Sequence, residues 1–348
     1  MNHSISYISV IVVYFLSFIV LMTKTNYPVE KIYKYITWGV VFVAIITILE
    51  FISKNFLNWG FNILRIADEN NATYGVGGQR FFRARGTTVE SGHLAMYLLM
   101  FVPFVYHYQK NINQSKAKLV FSLIVVTLSL IFTFSAAGFV ELSIILLIVA
   151  IIKIVKLFRK GFKLSSVVMI YPVFCGVVFL SMYYFLQGDR NLSFITGIID
   201  KITLVNYSID DGGSRLARWY RALELFKEKP LMGHGPGISS LLYGTGSTSL
   251  YLEILIATGL VGLCLFLGVM LYHLTIILKI KGNLKYVYLV SFVTMSIHLA
   301  IISNYWYPWM WTLFALINVQ YWKQNRSVSE IKGDRKVIPD VISASLSK

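Results

Sequence analysis

Long apolar runs separated by short polar connections dominate this chain. A bilayer core of about 30 Å is crossed by roughly 17–25 mostly apolar helical residues, and nine runs approach that length. They lie at 5–23, 36–53, 94–108, 119–135, 138–153, 165–187, 252–278, 287–303 and 308–322. The pattern predicts an all-α polytopic membrane protein. Its single transmembrane domain is residues 1–322, and a polar cytoplasmic tail follows at 323–348.

The composition agrees with that class. Of the 348 residues, 56% are apolar and 14% are charged, whereas soluble domains average about 25% charged residues. Cys175 and Cys264 both lie in apolar runs, so neither a disulfide framework nor a redox centre is expected. The lysines near the first run follow it rather than precede it, which is typical of a retained helix and not of a cleaved signal peptide.

The connections between the runs differ in charge on the two sides of the membrane. With alternating spans, 20 of the lysines and arginines fall on one side and 12 on the other. The positive-inside rule makes the richer side cytoplasmic, which puts the N-terminus outside and the C-terminus inside. Two long loops, 54–93 and 188–249, then lie on the outer face.

The kind of positive charge is also asymmetric. The cytoplasmic side carries 17 lysines and 3 arginines, and the outer loops carry 4 lysines and 8 arginines. The outer arginines are Arg65, Arg80, Arg83, Arg85, Arg190, Arg215, Arg218 and Arg221. A guanidinium pairs with phosphate or carboxylate through two parallel hydrogen bonds, which lysine cannot do. The cluster therefore favours anion recognition, although pairing with outer carboxylates or lipid headgroups stays open for any single arginine.

The stretch SRLARWYRALELFKEKPLMGHGPG, residues 214–237, predicts an amphipathic helix followed by a turn. One face, within an arc of about 120°, consists of Leu216, Trp219, Tyr220, Leu223 and Phe226. The opposite face carries Arg215, Arg218 and Arg221. Pro230 ends the helix, and the glycines after it let the backbone turn back. Such a helix lies at the membrane surface, with its apolar side on lipid or on the transmembrane bundle and its arginines toward a bound group.

This stretch resembles the signature loop of the O-antigen ligase and Wzy-type polysaccharide polymerase superfamily of bacterial inner-membrane proteins. The matching positions are Arg215, Trp219, Ala222, Leu223, Phe226, Pro230, Leu231, Gly233, Gly235 and Gly237. Two further stretches, FRARGTTVESGHLAMYL (82–98) and SLYLEILIATGLVG (249–262), are similar to other motifs of the family. Ligases usually carry His-Asn or His-Ser just before the last of these helices, where this chain has Thr248-Ser249. That departure favours a polymerase.

The resemblance implies a GT-C-like helical bundle in the bacterial plasma membrane. It implies transfer from an undecaprenyl-diphosphate-linked glycan donor to a sugar hydroxyl of a glycan acceptor, without a cofactor or metal. Further implied partners are membrane lipids, a chain-length regulator and a flippase. Binding to nucleic acid is not expected. The leading interpretation is a polymerase of repeat units for capsule, exopolysaccharide or O-antigen at the outer face. The alternatives are a ligase that moves the finished glycan to another acceptor and a transporter of lipid-linked glycan.

Within that reaction, Arg215 and Arg218 are the predicted diphosphate ligands. Arg83 or Arg85, from the first outer loop, is the predicted second clamp. Glu90 is the predicted general base, and a salt bridge from it to Arg85 is an equally weighted alternative. The other predicted substrate-binding residues are Arg221, Trp219, His234, Gly233, Gly235, Gly237 and Glu253. Glu253 is also the substitute base, although its place at a helix N-terminus has a structural explanation too.

A few ionisable residues fall within or beside the spans. Glu50 and Glu141 are functional candidates because acids are costly inside a membrane. Four histidines lack the spacing of metal ligands, and we interpret them as satisfied polar contacts. They are His93, His107, His273 and His298.

Overall fold

The computed structural model describes residues 8–25, 27–59, 73–76, 79–135, 137–139, 141–147, 215–244, 246–303 and 308–345. For 73–76, 79–80 and 327–345 it describes the backbone alone. The predicted span 165–187 and the outer-loop residues 188–214 lie outside the described residues. The prediction of nine spans is therefore only partly covered and stays a prediction.

Helices make up most of the described chain. They are α1 (Ile8–Lys24, with a π-helical stretch at Ile11–Leu16), α2 (Val29–Phe56), α3 (Ser91–His107), α4 (Lys116–Phe132), α5 (137–147, without 140), α6 (Arg215–Glu228), α7 (Ile238–Tyr243), α8 (Leu250–Lys279), α9 (Leu284–Leu299) and α10 (Pro308–Ser345). α2 and α8 are long and apolar enough to cross a membrane, and α1, α5 and α9 are shorter apolar helices. The helical architecture agrees with a polytopic membrane protein.

The bundle is built around α3. This helix packs against α2, α4 and α9, while α8 packs on α9 and α10. The core of the bundle includes Tyr33, Phe104 and Tyr288, all of which are buried. The hydroxyl groups of Tyr33 and Tyr288 lie 2.9 Å apart, and the Tyr33 hydroxyl also donates to Gln320 Oε1 at 3.2 Å. These bonds satisfy the polar groups of side chains that are buried in the bundle.

The first outer loop contains a small β-hairpin, so the all-α prediction is wrong for this segment. Strand β1 (Thr73–Val76) pairs antiparallel with β2 (Gln79–Phe82). After β2 the chain contacts the C-terminal end of α4, where Ala84 N–H donates to Phe132 O at 3.0 Å. A hairpin this short lacks the long alternation that identifies a strand from sequence.

Glu50, in α2, holds the loop that follows the hairpin. It is 3% exposed, and its Oε2 accepts from the backbone N–H groups of Arg85 at 2.9 Å and Gly86 at 2.7 Å. Its Oε1 pairs with Lys54 at 2.8 Å. Gly86 has a φ of +55°, and a Cβ there would lie 2.6 Å from Thr47 Oγ1. Glu50, which the sequence places within or beside a span, thus positions the loop that follows the hairpin.

The second outer loop is hydrogen-bonded to α8 at the point where that helix is interrupted. Gly259 has φ +67° and ψ −164° in the middle of α8. Across the break, Leu260 N–H donates to Pro230 O at 2.8 Å and Val261 N–H donates to Leu231 O at 3.3 Å. The turn after α6 therefore supplies acceptors that the interrupted helix lacks.

The same turn donates hydrogen bonds in return. His234 N–H bonds to Ile256 O and Gly235 N–H bonds to Ala257 O, both at 2.9 Å. A Cβ on Gly259 would lie 2.1 Å from Leu231 O, and one on Gly233 would lie 2.5 Å from the backbone of Ala257. We call this reciprocal pairing of residues 230–235 with 256–261 the interlock. It requires glycine because two backbones approach too closely for any side chain.

Candidate functional site

α6 confirms the predicted amphipathic helix, and its orientation decides which face meets the protein. Ala222 and Leu225 are buried and pack on Ile256 of α8. Tyr220 and Leu223, from the predicted apolar face, are 49% and 44% exposed. Phe226, at the edge of that face, packs against the same cluster, so the predicted apolar face meets the bundle at one edge and is exposed at Tyr220 and Leu223. The side of the helix that bears arginines is thereby turned toward the protein.

A small, partly open cavity lies between α6, α7 and the segment before α8. Its lining residues are Arg218, Arg221, Ala222, Ser239, Tyr243, Gly246 and Ser247. Arg221 also lies over the Tyr243 ring, with its guanidinium carbon 5.2 Å from the ring centre. The cavity brings two of the predicted arginines together with two serine hydroxyl groups, and these are donors suited to an anion.

Arg218 is the most informative residue of the cavity. Its Nε is buried and has no hydrogen-bond partner among the described residues. The same holds for Trp219 Nε1 and Thr248 Oγ1, which follow the lining residues Arg218 and Ser247 in the chain. A buried donor without a partner costs roughly 1–3 kcal/mol, and more when it is charged. An anion in the cavity would remove that cost for Arg218.

The wall of the cavity opposite the arginines is tied to Glu253. Ser247 N–H donates to Glu253 Oε2 at 3.2 Å, and the Ser247 hydroxyl lies 2.9 Å from the same oxygen. That hydroxyl is also 3.0 Å from Ser249 O. Thr248, between them, has a φ of +60°, a strained conformation for a β-branched residue. Ser247 therefore places a carboxylate directly beside the cavity.

The remaining predicted residues of the second outer loop are structural in their described contacts. The His234 ring Nε2 lies 2.7 Å from Leu225 O, and its backbone belongs to the interlock. Gly233 and Gly235 are in the interlock as well, and Gly237 has a φ of +82° immediately before α7. Arg215 is exposed and is not among the described residues that line the cavity.

The outer end of α6 carries a solvated pair. Lys227 Nζ lies 2.7 Å from Glu224 Oε1, and both side chains are exposed. The hydrogen bond from Lys227 lowers the pKa of Glu224, and the same bond raises the pKa of Lys227. This pair is a surface feature and contributes little to stability.

The first outer loop contributes its predicted residues elsewhere. Arg83 Nε donates to Thr133 O at 3.0 Å, and Arg85 Nη1 lies 3.4 Å from Val89 O. Glu90 precedes α3, and its side chain is exposed. None of the three is among the described residues that line the arginine cavity. The structure thus does not bring the predicted second clamp and general base to the cavity.

Several cavity residues were not predicted from the sequence. They are Ser239, Tyr243, Gly246 and Ser247. Their only local signal is the glycine- and serine-rich composition of 235–249, which is typical of any turn. In the described part of the chain no three His, Cys, Asp or Glu side chains are grouped so that they could hold a metal.

The comparisons with known proteins bear on this region. The family model for O-antigen ligases matches residues 121–267, a range that includes α6, α7, the cavity and the first half of α8. This confirms the resemblance to that superfamily. A comparison with curated proteins gives no match.

Proposed function

From the O-antigen ligase family match and the arginine cavity, we propose that this chain polymerises lipid-linked oligosaccharide repeat units at the outer face of the bacterial plasma membrane. The family match supports the coarser statement, a membrane protein of polysaccharide biosynthesis that acts on lipid-linked glycans. The finer choice of a polymerase rests on Thr248-Ser249, where ligases usually carry a histidine.

The observation that carries the proposal is the buried, unpartnered Nε of Arg218 beside Arg221. Two guanidinium groups and two serine hydroxyl groups line this small cavity, and such donors suit a diphosphate better than the sugars of a glycan. We place the diphosphate of the donor between the two guanidinium groups. The sugars of donor and acceptor then lie outside the cavity.

The chemistry follows from that placement. The bond from the anomeric carbon to the diphosphate oxygen breaks, and the acceptor hydroxyl oxygen bonds to that carbon. The bonding electrons leave with the diphosphate, so negative charge develops where Arg218 and Arg221 can stabilise it. The acceptor hydroxyl gives its proton to a carboxylate. Such fixed donors need no covalent intermediate on the protein.

We assign the general base to Glu253 in preference to Glu90. Glu253 is bonded to Ser247, which lines the cavity, whereas the Glu90 side chain is exposed and is not among the described lining residues. A base must lie within hydrogen-bond reach of the proton it takes. The Ser247 bonds hold the carboxylate in one orientation, which meets that requirement better than an exposed side chain does.

Replacement of each candidate base in turn by glutamine compares their contributions to transfer directly. Glu253→Gln keeps an oxygen for Ser247 but cannot accept a proton, so we expect transfer to fall on the order of 100-fold. Glu90→Gln should stay within about threefold of wild type, because proton transfer does not pass through it. The measurement is the initial rate of chain elongation by purified protein with lipid-linked repeat units. A large loss in Glu90→Gln with none in Glu253→Gln would reverse the assignment.

The polymerase itself is tested by the size distribution of surface polysaccharide on gels from a deletion strain. We expect single repeat units in the deletion strain and a ladder after complementation with the wild-type chain. Full-length polymer that remains on its lipid carrier in the deletion strain would point to a ligase. Precursors trapped on the cytoplasmic side would point to transport.

A further inference from the structure

A buried ionisable pair joins α5 and α9. The Nδ1 of His298, in the last turn of α9, is in hydrogen-bond contact with Oε1 of Glu141 in α5. Both side chains are 0% exposed. The remaining polar atoms, Glu141 Oε2 and His298 Nε2, have no partner among the described residues. The pair lies outside the site described above.

Stability does not account for this pair. Removing two ionisable groups from water costs several kcal/mol each, and replacement of a buried pair by apolar side chains is often neutral or stabilising. Ionisable residues within membrane segments are rare and mark function. Two groups that contribute so little net stability can still fix the relative position of the helices that carry them.

A short chain of backbone bonds leads from His298 toward the cavity. His298 O accepts from Ile301 N–H at 2.8 Å and from Ile302 N–H at 3.0 Å. Ile302 O in turn accepts from Leu250 N–H, the first residue of α8, at 3.2 Å. A second tie joins the same two helices, since the Tyr251 hydroxyl donates to Ser296 O at 3.0 Å. The outer end of α9 therefore sets the position at which α8 begins.

The start of α8 carries the wall of the cavity. Ser249 O accepts from Glu253 N–H at 2.9 Å, and Ser247 bonds to the Glu253 carboxylate. A Cβ on Gly246, which lines the cavity, would lie 3.6 Å from Ser303 Oγ. Residues 246–253 are thus in contact with the segment that leaves α9.

We propose that Glu141 and His298 are positioning residues for glycosyl transfer. By holding the outer end of α9 against α5, the pair sets the distance of Ser247 and Glu253 from the arginines. The proposal rests on the proposed function, because Glu253 is taken as the base and the arginines as the diphosphate site. It acts through other residues and requires no contact between the pair and the substrate.

The test uses the full-length purified protein and lipid-linked repeat units, and separates kcat from KM. The double variant Glu141→Leu/His298→Leu should accumulate like wild type, with kcat about 10- to 100-fold lower because the base is misplaced. Its KM for the donor should stay within about twofold, since the arginines still hold the diphosphate. The exchanged variant Glu141→His/His298→Glu keeps a pair and should recover at least about a third of wild-type kcat.

A cross-linking assay reports on position without any need for activity. Gly246→Cys/Ser303→Cys is made in a Cys175→Ala/Cys264→Ala background, and the rate of disulfide formation in membranes is measured. Cross-linking should be at least about fivefold slower in the double leucine variant and restored in the exchanged variant. If cross-linking is slower in the double leucine variant while even the wild-type protein elongates no chains, the positioning role is upheld and the polymerase function is overturned.

Two results would overturn the proposal. One is wild-type kcat and wild-type cross-linking in the double leucine variant, which would leave the pair without an effect on the site. The second result concerns the exchanged variant, which decides the question if the double leucine variant fails to accumulate. Accumulation of the exchanged variant with neither cross-linking nor kcat restored would show that pairing is not what places the wall.

Discussion

Arg218→Ala is expected to lower glycosyl transfer by roughly 100- to 1,000-fold, the loss typical of removing one fixed donor from a developing negative charge. The Nε of Arg218 is buried beside a cavity that it shares with Arg221, and it has no partner among the described residues. Alanine removes both the charge and the fork of donors. Because that buried donor contributes no described bond to the fold, the variant should still accumulate in the membrane.

Arg218→Lys separates charge from geometry. Lysine keeps the positive charge but cannot offer two parallel hydrogen bonds, so we expect a rate between those of wild type and Arg218→Ala. Lys227→Ala is the matched control, since Lys227 lies on the same helix in an exposed pair with Glu224. Elongation rates with lipid-linked repeat units give the comparison. Equal losses in the Arg218 and Lys227 variants would mean that net charge on α6, and not the cavity, is what matters.

The exposed Arg215 gives a ranking that the sequence could not supply. The sequence predicted both Arg215 and Arg218 as diphosphate ligands, but of these two only Arg218 is among the described lining residues of the cavity. We therefore expect Arg215→Ala to reduce transfer by far less than Arg218→Ala. A helical wheel identifies the arginine face of α6 but not the direction in which that face points. In a membrane protein the apolar face can meet lipid, so hydrophobicity alone does not show which side is packed.

Other parts of the molecule differ in how far sequence could predict them. Apolar runs located the helices because a span of lipid requires a minimum number of apolar residues. Glu141 and His298 are 157 positions apart, and no local pattern links two such residues. The hairpin β1–β2 and the Ser247–Glu253 contact depend on tertiary packing, which periodicity does not record. The family motif indicated the glycines of the second outer loop but suggested substrate binding, whereas the described contacts of Gly233 and Gly235 are with α8.

Gly259→Ala is expected to destabilise the protein by roughly 3 kcal/mol or more, from backbone strain combined with overpacking. The φ of +67° and ψ of −164° at this position are essentially restricted to glycine. In addition, the new Cβ would lie 2.1 Å from Leu231 O, a backbone atom that cannot rotate away. The measurement is thermal unfolding of detergent-solubilised protein. We expect the variant to unfold at a lower temperature than wild type or to give no folded protein.

Two further glycines separate the causes of that loss. Gly268, in the same helix, has no atom within 4 Å of a built Cβ, so alanine there should be neutral or stabilise by up to about 1 kcal/mol through helix propensity. Gly235 has a φ of +97° but open space around its Cβ, so alanine should cost about 1–2 kcal/mol from the backbone alone. If Gly259→Ala unfolded no earlier than Gly235→Ala, close contact across the interlock would not be what requires glycine. If glycine is required so that the two backbones of the interlock can meet, the destabilisation by alanine should instead increase in the order Gly268, Gly235, Gly259. That backbone contact fixes α6 and its arginines on α8.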